Sequence, residues 1–401
     1  MQGGIEYLKG KKILIWGYGR EGKATERFIK KFCEGSTYEI YEGSRDGVHE
    51  DDYDYIFVSP GIPFEEVNPK FTSETQLFLE LFSGRTIGIT GTKGKSTTSC
   101  LLYNAIKNSG RKSCLVGNIS VPCLDYYEEM LENQDETAVF ELSCHQCQRL
   151  TVSPHIAVFL NLFEDHLDRY ITEEHYFDAK LGITKNQTEK DIIYLGAQVP
   201  EFETRAERKI INKNEIGDYE LFIPGEHNKY KAEFVRRICV EELKLDENKV
   251  REGMKGFHGL PHRLEYIGNY DGVLYYDDSI STIPEAAIGA VKSISKVRTV
   301  LIGGMDRHIE YDILEDFIRN NPSVNFIASY EAGKRICKET GEQKNLYFRN
   351  NLDEAVKLAK EITEEGTACV LSPAAASYGY FKNFEERGDY FKKLVGGKIE
   401  G

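Results

Sequence analysis

Apolar and polar positions along this chain repeat one theme, a short apolar run, a turn, then a stretch with helical spacing. Lys12–Trp16 is such a run, and the turn Gly17-Tyr18-Gly19-Arg20-Glu21-Gly22 follows it. Beyond the turn, Ala24, Phe28, Ile29 and Phe32 recur with helical period. Strands are predicted next at residues 38–41 and 55–59, Pro60-Gly61-Ile62-Pro63 ends the second of them, and the first block runs to about residue 83. A second block opens with a strand at 86–90, a glycine-rich loop, and a helix carrying Leu101, Leu102, Ala105 and Ile106 on one face. Gly110 is placed to end that helix. Buried-looking strands follow at 138–142 and 156–162, then shorter, more polar ones between 190 and 223 that predict a small side sheet. Residues 227–242 read as helix. From residue 259 the alternation restarts, with strands at 273–276, 299–302, 325–328 and 369–371 and helices at 285–293 and 352–362.

Strand–helix alternation of this kind makes parallel sheets covered by helices. The expected fold is α/β in three domains: residues 1–83 Rossmann-like, 84–258 a central P-loop ATPase-type unit, and 259–401 again Rossmann-like. A length of 401 residues agrees with two or three domains.

Composition narrows the function classes. With 29% charged and 40% hydrophobic residues the chain has a globular make-up. No apolar run approaches the roughly 18 residues of a membrane span, and the N-terminal stretch lacks a signal-peptide pattern. A cytoplasmic location without a membrane partner is expected. The net charge of −14 argues against a broad nucleic-acid surface, yet leaves room for one phosphate site. Nine scattered cysteines fit reduced thiols better than a disulfide framework. Cys144-His145-Gln146-Cys147 has the spacing of a redox pair; two incidental thiols beside a strand end is the plainer reading.

Chemistry enters at Gly88-Ile89-Thr90-Gly91-Thr92-Lys93-Gly94-Lys95-Ser96-Thr97-Thr98. Glycines let backbone N–H groups turn around an anion, and the helix N-terminus adds partial positive charge. Lys95 can reach terminal phosphates and the Ser96 hydroxyl can ligate Mg²⁺. The strict pattern asks for glycine at position 89, where Ile89 stands, so the motif is a variant. It predicts an ATP site. Glu141 and His166 fall at or just beyond strand ends, where active sites of parallel sheets gather. They could ligate Mg²⁺ or Mn²⁺, or be a water-facing carboxylate and a helix cap. Lys180, taken alone, reads as a surface lysine.

Seven segments in order give the chain a resemblance to the Mur ligase family. They are Gly91 to Thr97, Glu141-Leu142-Ser143, Glu164 to Tyr170, Gly225-Glu226-His227-Asn228, Gly259 to Glu265, Asp278-Ser279, and Leu371-Ser372-Pro373-Ala374. The run from Ser377 through Phe384 to Gly388 is similar to the glutamate-adding branch. The resemblance implies an ATP-dependent ligase that forms an acyl phosphate, adding D-glutamate to UDP-N-acetylmuramoyl-L-alanine as a monomer. Lys95, Glu141, His166 and Lys180 would be catalytic, with Gly91, Thr92, Gly94, Lys95, Ser96, Thr97, Asn228, His262, Arg263 and Asp278 on ATP. Two Mg²⁺ ions would lie among Ser96, Glu141, His166 and Lys180, the last carbamylated by CO₂. Gly19, Arg20, Ser44, Arg45, Ser59, Gly61 and Asn118 would hold the nucleotide sugar, and Thr282, Arg307, Ser377 and Phe384 the amino acid.

Departures from the family pattern are specific. Ile280 stands where a lysine is usual, Arg307 (or His308) replaces another lysine, and Lys231 replaces an asparagine one turn after Asn228. Arg307 can still bind a carboxylate in bidentate fashion, so glutamate survives as substrate while its handedness stays open. A relative adding L-glutamate or another acidic amino acid to the same nucleotide sugar and a folylpolyglutamate synthase are the alternatives, the latter having no need of the extra N-terminal Rossmann-like unit. So does an oxidoreductase, because Gly17-x-Gly19-x-x-Gly22 with Glu42 about 20 residues on also suits NAD.

Overall fold

The computed structural model describes residues 4–63, 68–119, 121–163, 172–223, 225–259, 261–307 and 309–396. Among these the strands form three sheets. The first runs β2-β1-β3-β4, from β1 (Lys12–Trp16), β2 (Thr37–Tyr41), β3 (Tyr55–Val58) and β4 (Phe71–Thr72), all parallel. The second contains β5 (Thr86–Thr90), β6 (Ser113–Gly117), β7 (Thr137–Glu141), β8 (Ile156–Phe159), β9 (Ile192–Gly196) and β10 (Glu207–Ile211) in the order β10-β9-β8-β5-β7-β6. It too is wholly parallel.

The third sheet joins β11 (Glu265–Tyr270), β12 (Val273–Asp277), β13 (Val297–Gly303), β14 (Asn325–Ser329), β15 (Leu346–Arg349) and β16 (Ala368–Leu371). Its order is β11-β12-β16-β13-β14-β15, with β11 antiparallel to β12 and the rest parallel. The two units of the chain are Met1–Tyr219 with Lys229–Met254, holding the first two sheets, and Glu220–Asn228 with Lys255–Gly401, holding the third.

Most predicted elements appear where the pattern put them. One does not: the strands between 190 and 223 form no separate side sheet. β9 and β10 instead extend the second sheet beyond β8 in parallel register. β9 is nearly all buried, whereas β10 is an edge strand with only Ile211 buried, which is why its sequence reads as polar. The predicted helix at 227–242 is Glu226–Arg237, continued by one π turn at Ile238–Glu242.

In the second sheet β5 is central and buried along its whole length, flanked by β7 and β8. The chain leaves β5 toward the β7–β6 side and later returns on the β8 side. Such a switch point opens a crevice at the carboxyl ends of the strands, the usual ligand place in α/β sheets.

Candidate active site around the phosphate loop

β5 ends at Thr90, whose hydroxyl donates to the Leu142 carbonyl at 2.9 Å and ties the loop to β7. The helix Lys95–Asn108 begins at once, its N-cap Gly94 at φ +86, a left-handed geometry that glycine adopts without a Cβ clash. Lys95 Nζ donates to the carbonyls of Gly91 (2.8 Å) and Thr92 (3.0 Å). Asn161, just past β8, clasps the loop: its side chain accepts from Lys93 N and donates to Lys93 O, both at 2.9 Å, and its own carbonyl accepts from Thr92 N at 3.0 Å. Sequence reasoning missed Asn161 because the predicted strand 156–162 ran through it, whereas β8 ends at Phe159.

Lys180 is no surface lysine. It is 1% exposed and donates to the Gly91 carbonyl at 3.0 Å, with its ammonium 4.5 Å from the Tyr176 ring centre. Its helix, Glu173–Leu181, starts on a Thr172 cap and ends at Gly182. A Cβ at Gly182 would lie 1.9 Å from the Cys147 carbonyl oxygen, so glycine there lets the helix lie tight against the segment after β7 and buries Lys180.

Glu141, the last residue of β7, is 1% exposed. Its Oε1 accepts from Asn118 Nδ2 at 2.9 Å, while Oε2 is buried and finds no partner among the described residues. An orphaned carboxylate oxygen costs several kcal/mol unless something fills its lone pairs, and a hard divalent cation is such a partner. His166 lies outside the described residues. Ser96 sits in the first turn of the loop helix, part-buried.

The sugar-nucleotide candidates follow β1, β2 and β3 of the first sheet, except Asn118, which follows β6 of the second. Arg20 Nη2 donates to the Asn118 carbonyl at 3.2 Å, so Asn118 touches both Arg20 and Glu141. Ser59 donates to the Gly17 carbonyl at 2.8 Å, and Gly19, Ser44 and Gly61 are exposed. Arg45 is turned inward, donating to the Val48 carbonyl at 3.0 Å and paired with Glu50. The described geometry therefore gives Arg45 a structural engagement inside its own loop.

Cys144 and Cys147 are free, buried thiols, and burial pushes Cys147 up to about 12. A redox pair needs an accessible, lowered thiol, so the incidental reading stands.

On the second unit, Asp278 is 3% exposed and its carboxylate accepts from Ser281 Oγ (2.5 Å), Ser372 Oγ (2.7 Å) and Leu264 N (3.1 Å). Burial outweighs these bonds and raises it to about 6. His262, at φ +62, pairs through Nδ1 with Asp277 Oδ2 at 2.7 Å. His262, Glu265 and Asp277 have the closeness of a metal-ligand group. However, Lys392 holds Glu265 at 2.8 Å and Ser279 N occupies the other Asp277 oxygen at 2.9 Å, so the cluster is a satisfied network. Arg263 is exposed and Asn228 buried.

Thr282 and Arg307 come together, Arg307 Nη2 donating to the Thr282 carbonyl at 3.1 Å. Met305 bridges to Ala376, which brings the Arg307 loop beside Ser377. Phe384 accepts from Ser279 Oγ through its carbonyl at 2.8 Å. Arg387, unremarked in the sequence reading, is 1% exposed and binds Ser279 through Oγ and the carbonyl and Ala375 through its carbonyl. It ties the Asp278 loop to the Ser377 loop. His308 lies outside the described residues.

Residues 89–236 match the Mur ligase middle domain. Over 96% of its length the chain is 34% identical to the UDP-N-acetylmuramoylalanine–D-glutamate ligase of Aquifex aeolicus, covering 98% of that protein. The chain belongs to the Mur ligase family. The corresponding ligase of a Thermoanaerobacter species is 30% identical over 97% of this chain and 98% of its own. Among solved structures, UDP-N-acetylmuramate-alanine ligase MurC from Thermotoga maritima superposes with a TM-score of 0.56 at 17% identity, over 96% of this chain and 98% of that one. A Mycobacterium tuberculosis folylpolyglutamate synthase complexed with ADP and AMPPCP gives 0.56 at 14%, over 82% and 96%. At those identities the likeness is one of fold. As a Mur ligase the chain is an ATP-dependent, amide-bond-forming enzyme, which sets aside the oxidoreductase reading of the first glycine turn.

Proposed function

We propose that this Mur ligase joins D-glutamate to UDP-N-acetylmuramoyl-L-alanine in peptidoglycan precursor synthesis, releasing ADP and phosphate. The observation that carries the reading is the near full-length identity to ligases of that printed name. The domains would be residues 1–83 for the nucleotide sugar, 84–258 for ATP and 259–401 for the amino acid, in a cytoplasmic monomer. No helix among the described residues is long and apolar enough to cross a membrane.

The substrate carboxylate oxygen attacks the γ-phosphorus of ATP and the bond to ADP breaks, leaving an acyl phosphate. The glutamate amine then attacks the acyl carbon, phosphate leaves, and the amine loses a proton. Both anionic partners of the first step must be screened. Lys95 and the loop N–H groups supply fixed positive charge for that purpose. Mg²⁺, or Mn²⁺ in its place, would be held by Ser96, Glu141, His166 and a carbamylated Lys180, and supplies Lewis-acid screening when bound. The Glu141 oxygen that finds no partner among the described residues fits such a role.

Carbamylation has its own rationale. Lys95 and Lys180 both donate to the Gly91 carbonyl, and two ammonium groups sharing one acceptor in a buried place repel. Converting Lys180 to an anion removes the conflict. A ¹³C-bicarbonate NMR experiment should show a carbamate signal in the wild type that is absent from Lys180→Ala; no such signal would refute it.

The deciding assay is phosphate release with UDP-N-acetylmuramoyl-L-alanine and each glutamate enantiomer. Turnover is expected with the D form only, and turnover with L-glutamate alone would reassign the enzyme. Arg307 and Ile280 make that arm worth running. Lys95→Ala should lose phosphate release; normal turnover would remove the loop from the mechanism.

A further inference from the structure

The helix Glu226–Arg237 carries Lys231. Its stem runs across the phosphate loop: a Cβ built on Gly94 would stand 2.8 Å from Lys231 Cε and 3.6 Å from its Nζ. Gly94 is the residue at which the loop turns into the helix Lys95–Asn108. Lys95 donates to the carbonyl of Gly91, the other end of the loop. Ammonium groups from two separate helices, those of Lys95 and Lys231, thus stand at the two ends of a short run of backbone N–H groups at a helix N-terminus, in a chain whose formal net charge is −14. Backbone N–H groups at a helix N-terminus draw anions, and lysines at both ends of the loop add to that attraction. A polyphosphate, with charge spread over several groups, suits cations at both ends of the loop.

We propose that Lys231 is a phosphate-binding residue of the nucleotide site, its ammonium taking up charge of the ATP polyphosphate chain in addition to Lys95. This rests on the loop being the ATP site. A lysine fits this task in a way that a short amide does not, because its four-carbon stem lies along Gly94 and delivers a full charge from a neighbouring helix.

The test uses the full chain. Lys231→Met keeps most of the stem and its packing over Gly94 while deleting the charge; Lys231→Arg keeps the charge. Binding of ATP and of inorganic tripolyphosphate is measured by calorimetry at low and high salt, with Lys95→Ala alongside. Lys231→Met should bind both probes about tenfold more weakly, with the gap narrowing at high salt. Lys231→Arg should recover most of the loss. In turnover, the KM for ATP should rise by more than kcat falls. Wild-type binding of both probes by Lys231→Met, with binding lost in Lys95→Ala, overturns the proposal and leaves the loop assignment standing. A loss for ATP but not for tripolyphosphate overturns it as well, since the contact would then be to the nucleoside. If Lys95→Ala also binds both probes normally, the loop is not the nucleotide site and the underlying reading falls with the proposal.

Discussion

Asp278 carries its carboxyl in a place where burial raises it from 3.8 to about 6 despite three hydrogen bonds. The folded protein therefore binds more protons there than the unfolded chain between those two values. Its contribution to stability is whole below the lower value and is lost as pH rises through the upper one. At neutral pH the loss is on the order of 2–3 kcal/mol. Asp278→Asn should flatten the melting temperature of the second unit between pH 4 and 7 and raise it at pH 8, while lowering ligase activity. An unchanged pH slope in the variant would show that another group sets it. Asn161 offers a second residue-level test. Removing its two side-chain bonds to Lys93 should cost about 1–2 kcal/mol and weaken ATP binding; calorimetry giving wild-type affinity for Asn161→Ala would reduce the clasp to a bystander. Asn161 did not stand out in the sequence, and Asp278 did so only through the family resemblance. Lys95 and Glu141 did, because a glycine loop and an acid at a strand end are local patterns. Asn161 acts through its distance to Lys93, which only folding supplies, and Lys180 was promoted by resemblance alone, since its burial depends on Gly182 meeting Cys147.

At the scale of elements, the apolar runs located the buried strands and missed several of the exposed ones, although β2, with no buried position, was read at residues 38–41. β5, β7 and β8 are buried throughout and were plain. β11 and β15 have no fully buried position, so their sequences carry no core signature. β6 went unread because five residues with mixed burial give too little pattern. The first glycine turn was legible, and the structure adds a reason for Gly22: a Cβ there would lie 2.2 Å from the Gly17 carbonyl oxygen. That overlap with backbone cannot be relieved by a side-chain rotation. Gly22→Ala should push the helix Arg20–Phe32 away from β1, cost at least about 2 kcal/mol, and lose nucleotide-sugar binding. Urea melts reproducing the wild-type midpoint would show the turn to be more yielding than its geometry suggests.

For the molecule as a whole, the three-block reading divided the chain by strand–helix rhythm, whereas contacts within the folded chain divide it into two units. The difference has a physical source. One continuous apolar core runs from Ile13 and Phe28, of the first sheet and its helix, through Leu77 and Phe78 to Phe140 and Phe159 of the second sheet. Rhythm along a sequence cannot show that two neighbouring blocks share a core. The third sheet is filled by clusters of its own, around Val300 and Phe326 on one face and Tyr275 and Phe391 on the other. Two separately cored units should unfold in two calorimetric transitions, not one. Tripolyphosphate at a hundred times its Kd should stabilise the unit that contains the phosphate loop by about 2.7 kcal/mol and raise that transition, while Asp278→Asn at pH 8 should raise the other. A single transition that both perturbations move together would mean that the units unfold as one, and that the boundary at residue 255 does not separate independent cores.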